Sequence, residues 1–387
     1  MHLFFIDQFI SLDMMAPIMY RLSKKKEIYL YNFNKVQSYN DTKIYKFLEN
    51  QKKILIIDSL TDIFSLKFIL LILIKLLATL PSKKLNKSVK FWKYIWLNYN
   101  FVSKKKLIQF LKKNKILSIS IDESLEEKKR LFLIEICKEL DLPLIMNHGG
   151  LYTIKAIKKD FRKFKDVSFF LSPNKFPIYT YKLNQKYLKS GKYLQYGSPR
   201  FDEAWINIIK KFNDKKKNDN KIKIAFFVRP TSVSYTDTLQ ILKKLNKINN
   251  LDVRLNYKPR DVLPTKFSNF KKNEMQSSEL IAWSDLVLCY ASSIMVEAVC
   301  LNKPLIYLNY LKIDKETDVS WFDDLKFVKK AKNLSQSIEL IKNFTKKSNK
   351  YIVNTNNKKI FLKKFISNSK AKGILEKYYT FYNKISI

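Results

Sequence analysis

The stretch Ser284-Asp285-Leu286-Val287-Leu288-Cys289-Tyr290-Ala291-Ser292-Ser293 passes from a short apolar run into two serines placed to open a helix. Glu297-Ala298 and Leu301-Asn302-Lys303-Pro304 follow, and Leu305-Ile306-Tyr307-Leu308 is apolar again. Strand, helix and strand in this order form a βαβ unit, the building block of a parallel sheet covered by helices.

The alternation continues outward. Ile222–Val228 and Val253–Tyr257 are the preceding candidate strands. Further upstream, Leu3–Ile6, Glu27–Tyr31, Ile54–Asp58, Ile116–Ile121, Leu144–Asn147, Val167–Leu171 and Tyr193–Tyr196 repeat the pattern. Leu131 to Leu140 reads as a helix with Leu131, Ile134 and Cys137 on one face, closed by Pro143 before the next strand. Between Ile209 and Lys221 the text turns Lys/Asn/Asp-rich, with no large apolar residue after Phe212, which marks an exposed linker. The expected class is α/β, with two Rossmann-like parallel-sheet domains. Residues 1–205 form the first, 206–221 the linker and 222–360 the second; 361–387 form a terminal helix able to pack back on the first half.

Composition narrows the chemistry. The 387 residues include only five glycines, where average usage of about 7% gives about 27. Neither a GxxxxGK loop nor a GxGxxG fingerprint can be written from Gly149, Gly150, Gly191, Gly197 and Gly373. Lys plus Arg number 74 against 34 Asp plus Glu, a formal charge of +40. Only seven of the cations are arginines, which with the abundant Ile, Asn, Phe and Tyr suits drift toward A/T-rich codons. The field nevertheless favours anionic surfaces and anionic substrates. Nucleic acid is not expected, since no base-reading module appears. The three cysteines, Cys137, Cys289 and Cys300, lie far apart in apolar runs and read as buried thiols of a reducing compartment. With His2 and His148 the only histidines, spacing assembles no Cys/His zinc site.

Phe64 to Leu80 is nearly all apolar but is interrupted by Lys67 and Lys75, and is shorter than the about 20 residues that cross a bilayer. The basic aromatic run to Lys106 suits a membrane surface, so 64–106 is a candidate for peripheral contact; an ordinary amphipathic helix fits it as well.

Four clusters, with a further one similar in position at Tyr257 to Asp261, lie where strands end, the edge at which open parallel sheets bind ligands. In Asn147-His148-Gly149-Gly150, the histidine can take a proton from a hydroxyl and the glycines let backbone amides approach a ligand; a turn carrying a surface histidine has the same pattern. Gly197-Ser198-Pro199-Arg200-Phe201-Asp202 places Arg200 and Asp202 at a domain crossover, or pairs them as a structural ion pair. Arg229-Pro230-Thr231-Ser232 and Tyr257-Lys258-Pro259-Arg260-Asp261 offer cations to a phosphate, though a helix cap also explains the hydroxyls. In the opening stretch, Tyr290, Ser292 and Ser293 lead into a helix start suited to a diphosphate. Glu297, one turn in, can accept from ribose hydroxyls or satisfy the helix N-terminus.

In this order the clusters resemble the GT-B superfamily of glycosyltransferases, most closely the bacterial surface-polysaccharide and CDP-glycerol glycerophosphotransferase-like branches. The likeness covers Leu117 to Leu308. Asn147 to Gly150 is similar to a motif whose histidine is a proposed base, Gly197 to Asp202 to a GxPRxD crossover segment, and Ser284 to Pro304 to the donor-site strand and helix. The resemblance implies an acceptor domain and a nucleotide-donor domain facing a central cleft. In that scheme His148 acts as base, with Arg229, Lys258 and Arg260 on the phosphates and Ser292, Ser293 and Glu297 on diphosphate and ribose. Gly149, Gly150, Arg200, Asp202 and Tyr290 lie elsewhere in the cleft. It implies a nucleotide-sugar donor as co-substrate, no resident cofactor or metal, a glycan or lipid-linked acceptor, and work in the cytoplasm on the inner face of the membrane. One departure stands out. Arg260 replaces the histidine that often follows Lys-Pro in such enzymes, and an arginine does not readily donate a proton. A UDP-N-acetylglucosamine 2-epimerase-like enzyme and a non-catalytic assembly protein at the membrane are the alternatives.

Overall fold

The computed structural model describes residues 1–33, 42–57, 60, 102–148, 165–175, 185–212, 221–228, 235–256, 275, 277–290, 292–311, 328–346, 351, 354–366 and 372–385. Among them are two sheets in which every pairing is parallel. The first contains β1 (His2–Ile6), β2 (Ile28–Asn32), β3 (Ile54–Ile57), β4 (Ser118–Asp122), β5 (Leu144–Asn147), β6 (Phe169–Ser172) and β7 (Tyr193–Gln195), in the order β3-β2-β1-β4-β5-β6-β7. The second contains β8 (Ile222–Phe227), β9 (Leu251–Asn256), β10 (Leu286–Cys289), β11 (Leu305–Leu308) and β12 (Lys329–Ala331), in the order β12-β11-β10-β8-β9. Each order reverses direction once, between β1 and β4 and between β8 and β10, and these switch points open a crevice at the strands' carboxyl ends.

The helices accompanying the first sheet are α1 (Phe9–Ser23), α2 (Lys43–Glu49), α3 (Lys104–Lys113), α4 (Glu127–Glu139) and α5 (Gln185–Lys189). A 3-10 turn, Pro199–Phe201, leads into α6 (Glu203–Lys211). With the second sheet go α7 (Tyr235–Leu245), α8 (Ser277–Trp283), α9 (Ser293–Cys300) and α10 (Leu334–Lys346), and the chain continues through α11 (Thr355–Ile366) and α12 (Ile374–Lys384). Side chains on β1 alternate between two cores. Leu3 and Phe5 pack with α3 and α4, whereas Phe4 and Ile6 join a cluster that also takes in Trp205, Ala225, Val287, Val296 and Tyr382. One apolar core therefore runs from the first sheet into the second.

Strand β11, Leu-Ile-Tyr-Leu, is buried throughout, as expected for a strand covered on both faces. Helix α12 does pack back on the first half. His2 meets the Tyr382 ring edge-on at 5.1 Å, the Tyr382 hydroxyl lies 2.7 Å from Ser120 Oγ, and Tyr378 donates to the Gly197 carbonyl at 3.0 Å.

Several expectations need correction. The end of the chain holds two helices rather than one, since Gly373 at φ +75° starts α12 afresh after α11. Of the stretch read as linker, Ile206 and Ile209 are buried in α6, and residues 213–220 lie outside the described residues. Leu131 is 52% exposed, because α4 turns Arg130, Leu133, Ile134 and Cys137 inward together with Lys129, whose charge is met by Asp7. Strand β12, Lys-Lys-Ala, has no sequence signal of its own. Most of the 64–106 stretch, from 64 to 101, lies outside the described residues. No helix among the described residues is long and apolar enough to cross a membrane.

Candidate active site

The carboxyl edge of the first sheet gathers its polar residues in strand order. Asp122 ends β4 and pairs in register with Asn147, the last residue of β5, which His148 follows. Asp122 is buried. Its Oδ2 accepts from Ser11 Oγ at 2.6 Å and Ser124 Oγ at 2.9 Å, and its Oδ1 from the Ser124 amide at 2.6 Å. Burial raises its pKa against those bonds, and the negative charge of Asp7 adds to the rise. Asp7, just past β1, holds Lys129 at 2.5 Å in a buried ion pair.

His148 is also buried. Its Nδ1 lies 3.4 Å from the Leu171 carbonyl and its Nε2 3.4 Å from Ser198 Oγ. A carbonyl only accepts, so Nδ1 carries the hydrogen and Nε2 presents its lone pair to the serine hydroxyl. Burial pushes the imidazole down to about 3, with the Arg200 charge acting in the same direction. The ring is therefore neutral at pH 7, and in its buried state it is a weaker base than a free imidazole.

On the second sheet, β10 runs into α9. Ser292 is the N-cap residue with extended backbone, φ −162° and ψ 168°. Its hydroxyl makes no capping bond, and its Oγ is shielded from solvent without a hydrogen-bond partner among the described residues. A helix N-terminus with an unpaired hydroxyl concentrates donors and positive dipole where a phosphate needs them. Ser293 begins the helix, and Tyr290 packs at the edge of the outer core of this sheet.

Between the two edges lies a buried charge network. The Arg200 guanidinium reaches Asp13 Oδ2 on α1 at 2.9 Å through Nη1 and Glu297 Oε2 on α9 through Nη2. Ser278, in the first turn of α8, donates to Asp13 Oδ1 at 3.4 Å. Burial raises Glu297's pKa, Arg200 counters it, and the neighbouring Asp13 adds to it. Arg200 and Asp202 do not pair with each other. Asp202 caps helices instead, accepting from the Ala204 amide at 2.9 Å and the Ile374 and Leu375 amides at 2.7 and 3.1 Å. Glu297 likewise serves the Arg200 pair rather than the end of its own helix.

Of the residues read from the sequence, the structure thus brings Arg200 and Glu297 into contact and sets His148 beside the turn that carries Arg200. Gly149, Gly150, Arg229, Lys258 and Arg260 lie outside the described residues. Asp13, Ser278 and Asp122 were missed. Asp13 had a signal, as the one acid in the apolar stretch Phe9-Ile10-Ser11-Leu12-Asp13-Met14-Met15.

A cavity of about 630 Å³ opens at the opposite end of the second sheet, lined by Lys210, Ser284, Asp285, Lys303 and Phe344 among others. There Lys303 donates to the Ala282 and Ser284 carbonyls at 2.7 and 2.6 Å, neutralising the carboxyl end of α8. Lys303 is occupied by those carbonyls, and the candidate site is placed at the switch points, where open parallel sheets bind ligands.

No protein-family model and no curated protein matches the chain. Solved structures do. HepE of Anabaena in complex with UDP-glucose is 12% identical with a TM-score of 0.52, covering 99% of each chain. An H444N variant of the wall teichoic acid polymerase TagF is 12% identical with a TM-score of 0.55, over 100% of this chain and 89% of that one. The UDP-GlcNAc 2-epimerase of Neisseria meningitidis bound to UDP-GlcNAc is 11% identical with a TM-score of 0.53, over 100% and 99%. The fold is GT-B. At these identities the likeness establishes the architecture alone.

Proposed function

We propose that this GT-B chain is a transferase that moves a sugar, or a related phosphate-linked unit, from a nucleotide-activated donor to a growing surface glycan such as capsule, O-antigen or a teichoic-acid-like polymer. The observation that carries the reading is the placement of a neutral imidazole, His148, at the carboxyl edge of one sheet and an unpaired N-cap hydroxyl, Ser292, at that of the other. In this scheme His148 Nε2 receives the proton of an acceptor hydroxyl, which takes the place now held by Ser198 Oγ. Ser292 and Ser293 at the α9 N-terminus, with Arg229, Lys258 and Arg260, hold the phosphates, so that cations and a helix dipole stabilise the departing charge. Glu297 turns its remaining carboxylate capacity to the ribose; Gly149, Gly150, Arg200, Asp202 and Tyr290 shape the surroundings.

The donor is a co-substrate, and the scheme needs no resident cofactor or metal. The charge of +40 supports an acceptor carried on a lipid and peripheral attachment to the anionic inner face of the membrane, in the cytoplasm. Two of the similar structures, HepE in complex with UDP-glucose and a wall teichoic acid polymerase, support the same class.

The test is a thermal-shift screen with UDP-, CDP-, GDP- and CMP-linked donors on wild type, His148→Ala and Glu297→Gln, since a ligand bound only by the native state raises the midpoint. Stabilisation of wild type and His148→Ala by one base family, weakened in Glu297→Gln, supports the reading. No stabilisation by any donor sinks it, and turnover of donor without acceptor moves the assignment to the epimerase class.

A further inference from the structure

We infer that Arg200 is a positioning residue that couples the donor-side carboxylate of Glu297 to the imidazole of His148 through the turn Ser198-Pro199-Arg200. The functional meaning of the coupling rests on the roles proposed above for those two residues; the coupling itself does not.

Three observations converge on the turn. Ser198 Oγ is the group facing His148 Nε2, at 3.4 Å. Two residues on, Arg200 holds Glu297 through one terminal nitrogen and Asp13 through the other. Ser198, Arg200 and His148 are all buried, so neither end of the turn can exchange its contact for water. The link between the two sheets is thus two residues long. The 3-10 geometry makes it stiff, with the Phe201 amide donating to the Ser198 carbonyl at 3.1 Å and Pro199 fixing the backbone at the first position.

Arg200 divides one guanidinium between two carboxylates on different elements. Its position, and that of the turn, is a balance between the pull of Asp13 on α1 and of Glu297 on α9. When Glu297 turns toward a ribose, the balance moves toward Asp13. Ser198 moves with the backbone, and the hydroxyl that occupies His148 Nε2 is loosened as the donor side fills. A base at the acceptor side is then uncovered when a donor is in place.

The chain has only two histidines, so both imidazoles can be followed in long-range proton–nitrogen spectra of the whole protein. His2 bonds Ser118 at 2.8 Å and packs on Tyr382, and serves as the internal control. Glu297→Gln keeps the shape and removes the charge. It is expected to shift the His148 nitrogens and leave those of His2 in place; Asp13→Asn shifts them too, from the other side of the balance. In a Ser198→Ala background, Glu297→Gln no longer moves His148. The inference is overturned if His148 stays within its linewidth in whichever of Glu297→Gln and Asp13→Asn keeps the wild-type circular dichroism, or if His2 moves as far as His148. Adding UDP to wild type separates the two readings. Absence of UDP binding with the coupling intact counts against the donor role alone, and UDP binding with no response at His148 counts against the coupling alone.

Discussion

One carboxylate, Asp202, starts two helices that are remote in the chain. Its Oδ1 takes the Ala204 amide of α6, and its Oδ2 takes the Ile374 and Leu375 amides of α12. Asp202→Ala leaves three amides without their acceptor, two of them buried. The expected loss is about 2–3 kcal/mol, read as a lower urea midpoint with an unchanged slope.

Gly197 and Gly191 both sit at positive φ, +96° and +73°, but differ in surroundings. A Cβ on Gly197 meets the Ile366 carbonyl at 2.9 Å, whereas one on Gly191 meets nothing within 4 Å. Gly191→Ala is expected to cost about 1 kcal/mol of backbone strain. Gly197→Ala costs about 2–4 kcal/mol, because the end of α11 is backbone and has to shift. Equal losses in chemical denaturation contradict this.

Arg200→Ala strands two carboxylates, the buried Glu297 and the partly buried Asp13, at the joint between the sheets. The expected penalty is about 3–5 kcal/mol. Arg200→Lys restores the charge but not the fork, and is expected to recover only part of it. Full recovery by lysine in the same unfolding experiment shows that charge alone matters there.

Burial pushes both His2 and His148 from 6.5 down to about 3. Both are neutral in the fold at pH values where the unfolded chain has already bound protons. Stability therefore falls as pH drops from 6.5 toward 3, each imidazole adding about 1.4 kcal/mol per pH unit to the slope once the unfolded residue is charged. His2→Gln is expected to flatten the slope of unfolding free energy against pH in that window by one such share. An unchanged slope refutes the burial of His2 as a neutral ring.

The strands were legible where burial on both faces writes an unbroken apolar run, as at Leu144–Asn147 and Leu305–Leu308. Strand β12 was not, since Lys329 and Lys330 sit at a sheet edge and only pairing with β11 makes them a strand. The wrong face for Leu131 has a similar origin. Lys129 reads as a solvent residue until Asp7, 122 residues away in sequence, neutralises it. In the site, Arg200 and Glu297 each stood out, yet their pairing is a tertiary event no local spacing encodes. His148 stood out by scarcity, but its hydrogen bonds to Leu171 and Ser198 come from strand order. The sequence also suggested an Arg200–Asp202 pair, which fails because Asp202's oxygens are both taken by helix amides.

Helix α12 covers β1, the first strand of the chain, through Phe4 and Tyr382. On the ribosome β1 is made long before α12. The first sheet emerges early with α1 on that face, and the part that Tyr382 covers stays open until α12 has left the exit tunnel. Throughout that interval a nascent chain leaves the Tyr382 side of Phe4 open to chaperones, and a chain cut before residue 374 never closes over it.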